Sequence, residues 1–192
     1  EITSTKNLFL IEDVCESHGA EFKGKKAGTF GDIGTFSFFF SHHICTIEGG
    51  SLVTNNEEYD EIGRTLRSYG WIRNLREKEK IASEYKHIDP RHLYVNIGFN
   101  FKPTEITAAL GMHQIKRIED IIKHKRDNAL YLIKNLQEFE EFVILPKERE
   151  GTRHTWLGFP LLVRPGSPFD KFDMMNFLEN HGIETRQLEA GN

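Results

Sequence analysis

Asn7-Leu8-Phe9-Leu10-Ile11-Glu12-Asp13 is the stretch on which the fold turns. Four apolar residues in succession, with no polar alternation, predict a short buried strand of a parallel sheet. The run ends on two acids, which brings a carboxylate to the carboxyl end of the strand, where open α/β sheets hold their ligands. Outward from it, Gly31-Asp32-Ile33-Gly34 punctuates the chain, and Thr35-Phe36-Ser37-Phe38-Phe39-Phe40 predicts a second strand rich in β-branched and aromatic residues. Glu48-Gly49-Gly50 marks a turn, Ser51-Leu52-Val53-Thr54 a third strand closed by Asn55-Asn56, and a helix is expected over about 57–68.

Residues 71–96 carry mixed charge and little periodicity, so they read as one long loop, a kind that is usually functional or disordered. From Thr104, just past Pro103, the pattern turns helical: Ile106, Ala109, Leu110, His113, Ile118, Ile121 and Ile122 recur at helical spacing. The helix should run to about residue 139, with a bend. Strands are then expected over 142–145, 156–163 and 183–186, and a helix over 169–180. The organisation that follows is α/β: residues 1–103 in a large α/β domain, 104–140 as a connecting helix, and 141–192 in a small C-terminal α+β domain.

Composition limits the function classes. The 192 residues are 38 % hydrophobic and 28 % charged, ordinary values for a globular protein, with a formal net charge of −4. No Lys/Arg run could track a phosphate backbone, so long nucleic acids are not expected partners. No apolar stretch approaches the roughly 20 residues of a membrane span. Cys15 and Cys45 form neither a CxxC motif nor a paired spacing, which points to a reducing cytoplasm and away from a cysteine-built metal cluster. The polar start at Glu1–Lys6 lacks a methionine and the end at Ala190-Gly191-Asn192 reads as a continuing loop, so a segment of a longer chain is expected.

The candidate chemistry lies in the first sixty residues. Asp13 stands at a strand end, where it could also be a turn cap. Ser37 is a hydroxyl among aromatics and needs a partner, which a backbone carbonyl could supply. His42-His43 follow the second strand directly, six residues before the glycine turn. A metal site built from His42, His43 and Glu48 is disfavoured, because adjacent side chains on an extended chain point to opposite faces and no HxH or HExxH spacing is present.

Ile11-Glu12-Asp13, Gly19-Ala20, Gly28-Thr29-Phe30-Gly31-Asp32-Ile33, Phe36-Ser37-Phe38 and Glu48-Gly49-Gly50, taken in order, resemble the signature of the DegT/DnrJ/EryC1/StrS sugar aminotransferases. Gly98-Phe99-Asn100-Phe101, Thr104-Glu105-Ile106 and Ala108-Ala109-Leu110-Gly111 resemble the second block of that family, and the similarity runs from about Asn7 to Asn192. The resemblance implies the aspartate-aminotransferase fold, fold type I, and pyridoxal or pyridoxamine 5'-phosphate as cofactor. It implies that Asp13 pairs with the pyridine nitrogen and keeps the ring an electron sink. By the same carry-over Glu16 lies close to the ring and Ser37 donates to the phosphate. Asn100 reaches the phosphate of a partner subunit, so a homodimer with shared active sites is expected. The phosphate-cradling segment of the family would lie upstream of Glu1.

One position departs from the family. An ungapped alignment of Phe36-Ser37-Phe38 and Glu48-Gly49-Gly50 puts the family's cofactor-binding lysine at position 42, and this chain has His42. Imidazole cannot hold an aldehyde as a stable Schiff base, but it keeps lysine's proton-transfer role with an ordinary pKa near neutrality. The 4-keto-6-deoxy-sugar 3-dehydratase branch of the family carries this histidine, often with a second beside it, as His43 is here. The resemblance to that branch implies loss of the C3 hydroxyl from a nucleotide-linked sugar, ammonia release, and recharging by an amino donor such as glutamate, within deoxysugar and lipopolysaccharide O-antigen synthesis. An iron–sulfur subtype needs cysteines after Gly70-Trp71, and residues 70–96 contain none. By position Tyr69 and Arg186 could face the sugar nucleotide, although helix packing accounts equally for Tyr69. The rival readings are a plain sugar aminotransferase using another residue in place of lysine, and a non-catalytic sugar-nucleotide-binding homologue.

Overall fold

The computed structural model describes residues 2–187. A short helix, α1 (Ile2–Lys6), precedes β1 (Ile11–Asp13), so the apolar run enters the sheet only at its last residue. β1 pairs in parallel with β4 (Ile33–Ser37), and β4 pairs antiparallel with β5 (Gly50–Val53), giving the order β1-β4-β5. β1 is an edge strand among the described residues, and Phe9 and Ile11 are exposed rather than covered on both faces as the run predicted.

Alternation along β1 separates the two acids. Glu12 turns to one side and accepts the backbone N–H groups of Gly28, Phe30 and Gly31 at 2.8, 2.6 and 2.7 Å. Asp13 turns to the other and accepts only from Cys15. The turn that Glu12 fastens also explains Gly34 in β4. A Cβ there would stand 2.3 Å from the Gly28 carbonyl oxygen, so the two backbones approach as closely as they do only because the side chain is absent.

The β1–β4 crossover carries a hairpin, β2 (Glu21–Phe22) and β3 (Lys25–Lys26), and β2 also pairs antiparallel with β7 (Thr152–Arg153). A backbone link therefore joins the N-terminal sheet region to the C-terminal third of the chain. Further along, α2 (Glu57–Leu66) starts where Asn56 Oδ1 accepts from the amides of Glu58 and Tyr59, and ends two residues short of the expected bound. There the chain turns sharply through Tyr69 and Gly70, both at positive φ.

Residues 71–96 are not a loop without structure. They form α3 (Lys78–Glu84) and two 3-10 turns, Ile72–Asn74 and Pro90–His92, around a small core of Ile72, Leu75 and Leu93 backed by Ile81, Ala82 and Ile88. The core residues come from several short turns, so no single period marks them. The expected long helix divides into α4 (Glu105–Gln114), capped by Thr104, and α5 (Ile118–Leu136); the bend is the 3-10 turn Ile115–Arg117. Beyond it β6 (Val143–Ile144) pairs with β8 (Leu162–Val163), and α6 (Lys171–Asn180) begins with a capping box of Asp170 and Asp173. The strand expected over 156–163 forms only at its end, because Trp156 lies at φ +52° and turns the backbone out of the extended region. Residues 183–186 are described but form no strand.

Because no atom can move out of the way without parting the Glu12-fastened turn from β4, Gly34→Ala is expected to destabilise the full-length protein by about 1–3 kcal/mol, the usual range for overpacking. Urea denaturation followed by far-UV circular dichroism measures it; an unchanged midpoint would show that the turn is loosely held.

Candidate active site

The parallel pairing of β1 and β4 sets Asp13 opposite Thr35, so Asp13 and Ser37 reach the same sheet end. Asp13 Oδ1 accepts the Cys15 backbone N–H at 3.0 Å. Hydrogen bonds from the Cys15 thiol and backbone hold the Asp13 carboxyl below the ordinary range, and the charge of His42 helps. Burial and the neighbouring Asp13 push the Cys15 thiol up to about 11. The pair is thus an anion beside a neutral thiol at physiological pH, and Cys15 is no nucleophile. Ser37 Oγ accepts the Phe39 N–H at 3.2 Å, which leaves the hydroxyl hydrogen to donate elsewhere.

His42 rides on the loop between β4 and β5. The neck of that loop is closed by Phe38 N–H to Gly49 O at 2.9 Å and Thr46 N–H to Phe38 O at 2.8 Å, with Thr46 Oγ donating to Glu48 O at 2.8 Å. His43, Ile44 and Thr46 are buried, so the loop is pegged from within while His42 stays half-buried, edge-on to Phe39. Nδ1 of His42 is buried without a hydrogen-bond partner.

A histidine outside the sequence reading belongs to the same group. His18, in the turn after β1, is only 4 % exposed, and its ring meets Phe36, Phe38 and His43 at centroid distances of 5.5, 6.1 and 5.8 Å. Burial, with the charges of His43 and His42 adding to it, pushes His18 down to about 4. Burial likewise lowers His43, whose Nε2 lies 3.1 Å from the Thr155 carbonyl oxygen. The available signal for His18 was a titratable ring in the turn Ser17-His18-Gly19, a few residues beyond the strand-end acid.

The other expected residues are Glu16, Asn100, Tyr69 and Arg186. Glu16 is exposed, and its charge acts on the Cys15 thiol. Asn100 is exposed and faces Ser68 across an antiparallel bridge, next to Tyr69, whose N–H donates to Phe99 O at 2.9 Å. Lys102 Nζ sits 5.1 Å from the centre of the Tyr69 ring. Arg186 follows α6 in irregular chain. The structure therefore brings Asp13, Ser37 and His42 together with His18 and His43 at one sheet end, and Tyr69 with Asn100 at a second place. No hydrogen bond or ion pair among the described residues joins the two groups. No set of His, Cys, Asp and Glu side chains suited to a metal ion occurs among the described residues.

A profile of the DegT/DnrJ/EryC1/StrS aminotransferase family matches residues 1–190. GDP-4-keto-6-deoxy-D-mannose 3-dehydratase of Yersinia pseudotuberculosis is 40 % identical over 195 aligned residues, covering 100 % of this chain and 49 % of that protein. The solved E. coli GDP-4-keto-6-deoxy-D-mannose-3-dehydratase with bound hydrated PLP superimposes with a TM-score of 0.85 at 35 % identity, over 95 % of this chain and 47 % of that one. A GDP-4-keto-6-deoxymannose-3-dehydratase structure with a trapped PLP-glutamate geminal diamine gives a TM-score of 0.82 at 34 % identity, over 95 % and 47 %. The chain spans about half the length of the curated relatives it matches, and its fold is that part of the PLP-dependent aminotransferase fold.

The depressed value of His18 has a consequence for stability. The unfolded chain takes up a proton near the ordinary 6.5, the folded chain only near 4, so between these values the unfolded state binds more protons and stability falls as pH falls. His18→Phe, which cannot charge, is expected to lose less melting temperature between pH 7 and pH 5 than the parent protein. Calorimetry of both at the two pH values checks this; equal losses would mean that His18 is not held neutral.

Proposed function

Because the chain belongs to the DegT/DnrJ/EryC1/StrS aminotransferase family, we propose that it carries the proton-transfer machinery of a PMP/PLP-dependent 3-dehydratase acting on a nucleotide-linked 4-keto-6-deoxy sugar. The observation that carries the proposal is a histidine, His42, on a pegged loop at the sheet end that presents Asp13, where the resemblance puts the family's lysine. GDP-4-keto-6-deoxy-D-mannose is the substrate class suggested by the named relative, and glutamate the amino donor suggested by the trapped adduct.

The residues present fit the cofactor. Asp13 is a stable carboxylate with a single backbone partner, suited to a protonated pyridine nitrogen. Ser37 has a hydroxyl hydrogen to give a phosphate oxygen, and Glu16 would border the ring. When bound, the cofactor supplies an electron sink and an amine able to take up the sugar's C4 ketone. His42 takes up a proton at its imidazole and delivers it to the C3 hydroxyl oxygen as that group leaves. Imidazole forms no stable Schiff base, so His42 would not displace an amino product from the bound cofactor as a lysine would, which suits a reaction ending in loss of ammonia rather than amino transfer. Asn100, on the exposed Gly98-Phe99-Asn100 segment, would serve the cofactor of the partner in a homodimer, and Tyr69 and Arg186 would face the sugar nucleotide. Residues 1–103 then belong to the cofactor-binding domain, 104–140 to the connecting helix and 141–192 to the small domain. The expected setting is cytoplasmic deoxysugar synthesis for lipopolysaccharide O-antigen; no helix among the described residues is long and apolar enough to cross a membrane.

Two measurements test the reading on the full-length protein. Saturated with pyridoxal phosphate, reduced with borohydride and weighed intact, it should carry no pyridoxyl group on a lysine although absorbance shows the cofactor bound; a lysine adduct would assign it to the aminotransferases. His42→Asn should lower formation of 3-deoxy sugar and ammonia by about 100-fold or more, as loss of a general acid–base does, while pyridoxamine phosphate still binds.

A further inference from the structure

The backbone is fixed on both sides of His42, but its side chain is not fixed by the same bonds. Ahead of it, the His42 N–H donates to Phe39 O at 3.0 Å and closes one turn of chain. Behind it, His43 is buried, with Nε2 3.1 Å from the Thr155 carbonyl oxygen. These contacts set where the Cα of His42 stands. They leave the two torsions of the imidazole open, and the second of these is broad for a histidine. Histidines that move protons are commonly aimed by a hydrogen bond to one ring nitrogen. His42 has no such bond at Nδ1, which is enclosed without a partner among the described residues. Its orientation therefore has to come from packing, and its ring contact is with Phe39.

Phe39 is mounted for that contact. Its N–H donates to Ser37 Oγ at 3.2 Å and its carbonyl takes the His42 N–H, so both of its backbone groups are held within the segment 37–42. Its ring stands edge-on to the imidazole, 5.8 Å away centre to centre and inclined by 68°. The Phe40 ring meets that of Phe39 at 4.4 Å and 60°. Edge-to-face contact at such distances is favourable and directional, and a ring standing beside the imidazole shuts out the rotamers that would swing into it. Because Nδ1 is the enclosed nitrogen of a half-buried residue, the orientation so selected presents Nε2 on the open side.

We infer that Phe39 is a positioning residue for His42: its ring, carried by the turn 39–42 and braced by Phe40, selects the imidazole orientation from which His42 moves the proton in the reading above, on which this inference rests. A phenyl ring exchanges no proton, so its effect falls on the rate of the step. The competing accounts are that Phe39 only packs with Phe40, or that it touches the ligand directly.

Two substitutions in the full-length, cofactor-loaded enzyme separate these. Phe39 is 36 % exposed, so Phe39→Leu keeps apolar cover without opening a core cavity, yet removes the ring; Phe39→Tyr keeps the ring. Phe39→Leu is expected to lower kcat for 3-dehydration about 3- to 10-fold, the worth of one edge-on ring pair, with KM near the parent value and with kcat restored in Phe39→Tyr. Parent-like kcat in Phe39→Leu, a rise in KM alone, or an equal loss in both variants overturns the inference. NMR of histidine labelled at its ring carbons gives a readout independent of activity, the His42 signals being identified by their loss in His42→Asn. The ring current of Phe39 should displace the His42 ring protons in the parent and in Phe39→Tyr, and the displacement should vanish in Phe39→Leu. Signals that Phe39→Leu leaves unmoved overturn the inference whether or not the sugar reacts. Signals that move with Phe39 in a protein that makes no 3-deoxy sugar would sink the dehydratase reading and leave the orientation of His42 by Phe39 standing.

Discussion

A carboxylate bound to three backbone amides sets the geometry of the candidate site. Glu12 collects the amides of Gly28, Phe30 and Gly31, and such charge-assisted bonds to backbone are stronger than neutral ones. They hold the turn that delivers the chain into β4, and Gly34 then lies against Gly28 with no room for a side chain. The turn therefore fixes where β4 runs beside β1 and which residue faces Asp13. Since Glu12 and Asp13 are neighbours on a strand, committing the first to structure leaves the second pointing to the opposite side. The acid proposed to meet the cofactor is placed by the structural one.

The loop of His42 is held from a second direction. His43 reaches Thr155 across 112 residues of chain, and Gly19 leaves space for Ile122 of α5, whose Cδ1 would stand 2.6 Å from a Cβ there. Arg153 donates to Gly19 O at 3.2 Å, and Arg126 grips Glu148 through both terminal nitrogens while also reaching His154 O. The Arg126–Glu148 pair is about four-fifths covered and two-pronged, which sets it apart from the open Arg91–Asp89 pair, where solvent screens most of the attraction. The C-terminal third is thus fastened where it touches the turn of His18 and the loop of His42. The proton transfer proposed for His42 needs its ring held to within a fraction of an ångström, and these contacts supply stiffness from outside the loop itself.

Features with a local cause were legible in the sequence. The strand-end acids, the Phe36-Ser37-Phe38 strand and the glycine turn follow from periodicity and spacing, the histidine at position 42 stands out through the family resemblance, and the structure brings Asp13, Ser37 and His42 to one end of the sheet. What was not legible depends on contacts distant in sequence. The core of Ile72, Leu75 and Leu93 is assembled from separate turns. β7 exists because Thr152 and Arg153 meet Phe22 and Glu21, which no local pattern announces. Trp156 broke an expected strand through its backbone angle, with the buried Thr155 beside it already committed to His43. His18 is illegible for the same reason: alone it is a histidine in a turn, and its significance comes from burial against His43, 25 residues later.

Asn100 poses a different problem, because no hydrogen bond among the described residues ties it to Asp13 or His42 and its neighbours along the chain are conspicuously apolar. Ile97, Phe99, Phe101, Ile106, Met112 and Ile115 are all more than half exposed, and Phe99 stacks on Phe101 at 5.2 Å. So many large apolar side chains left open over one stretch of chain are ones that a protein in water covers with another layer or another subunit. The crossing that presents Asn100 is built to be rigid: Gly98 packs against the backbone of Gly70, and a Cβ on Gly70 would collide with Asn96 O. Such close backbone packing costs the chain two glycines and a strained Tyr69 at φ +62°, a cost of order 1–3 kcal/mol for the latter alone. A flexible exposed segment would need none of it. Stiff, apolar and carrying a single amide side chain at its centre, the segment has the properties of a part that completes a site on another chain, which is the role proposed for Asn100 in the homodimer.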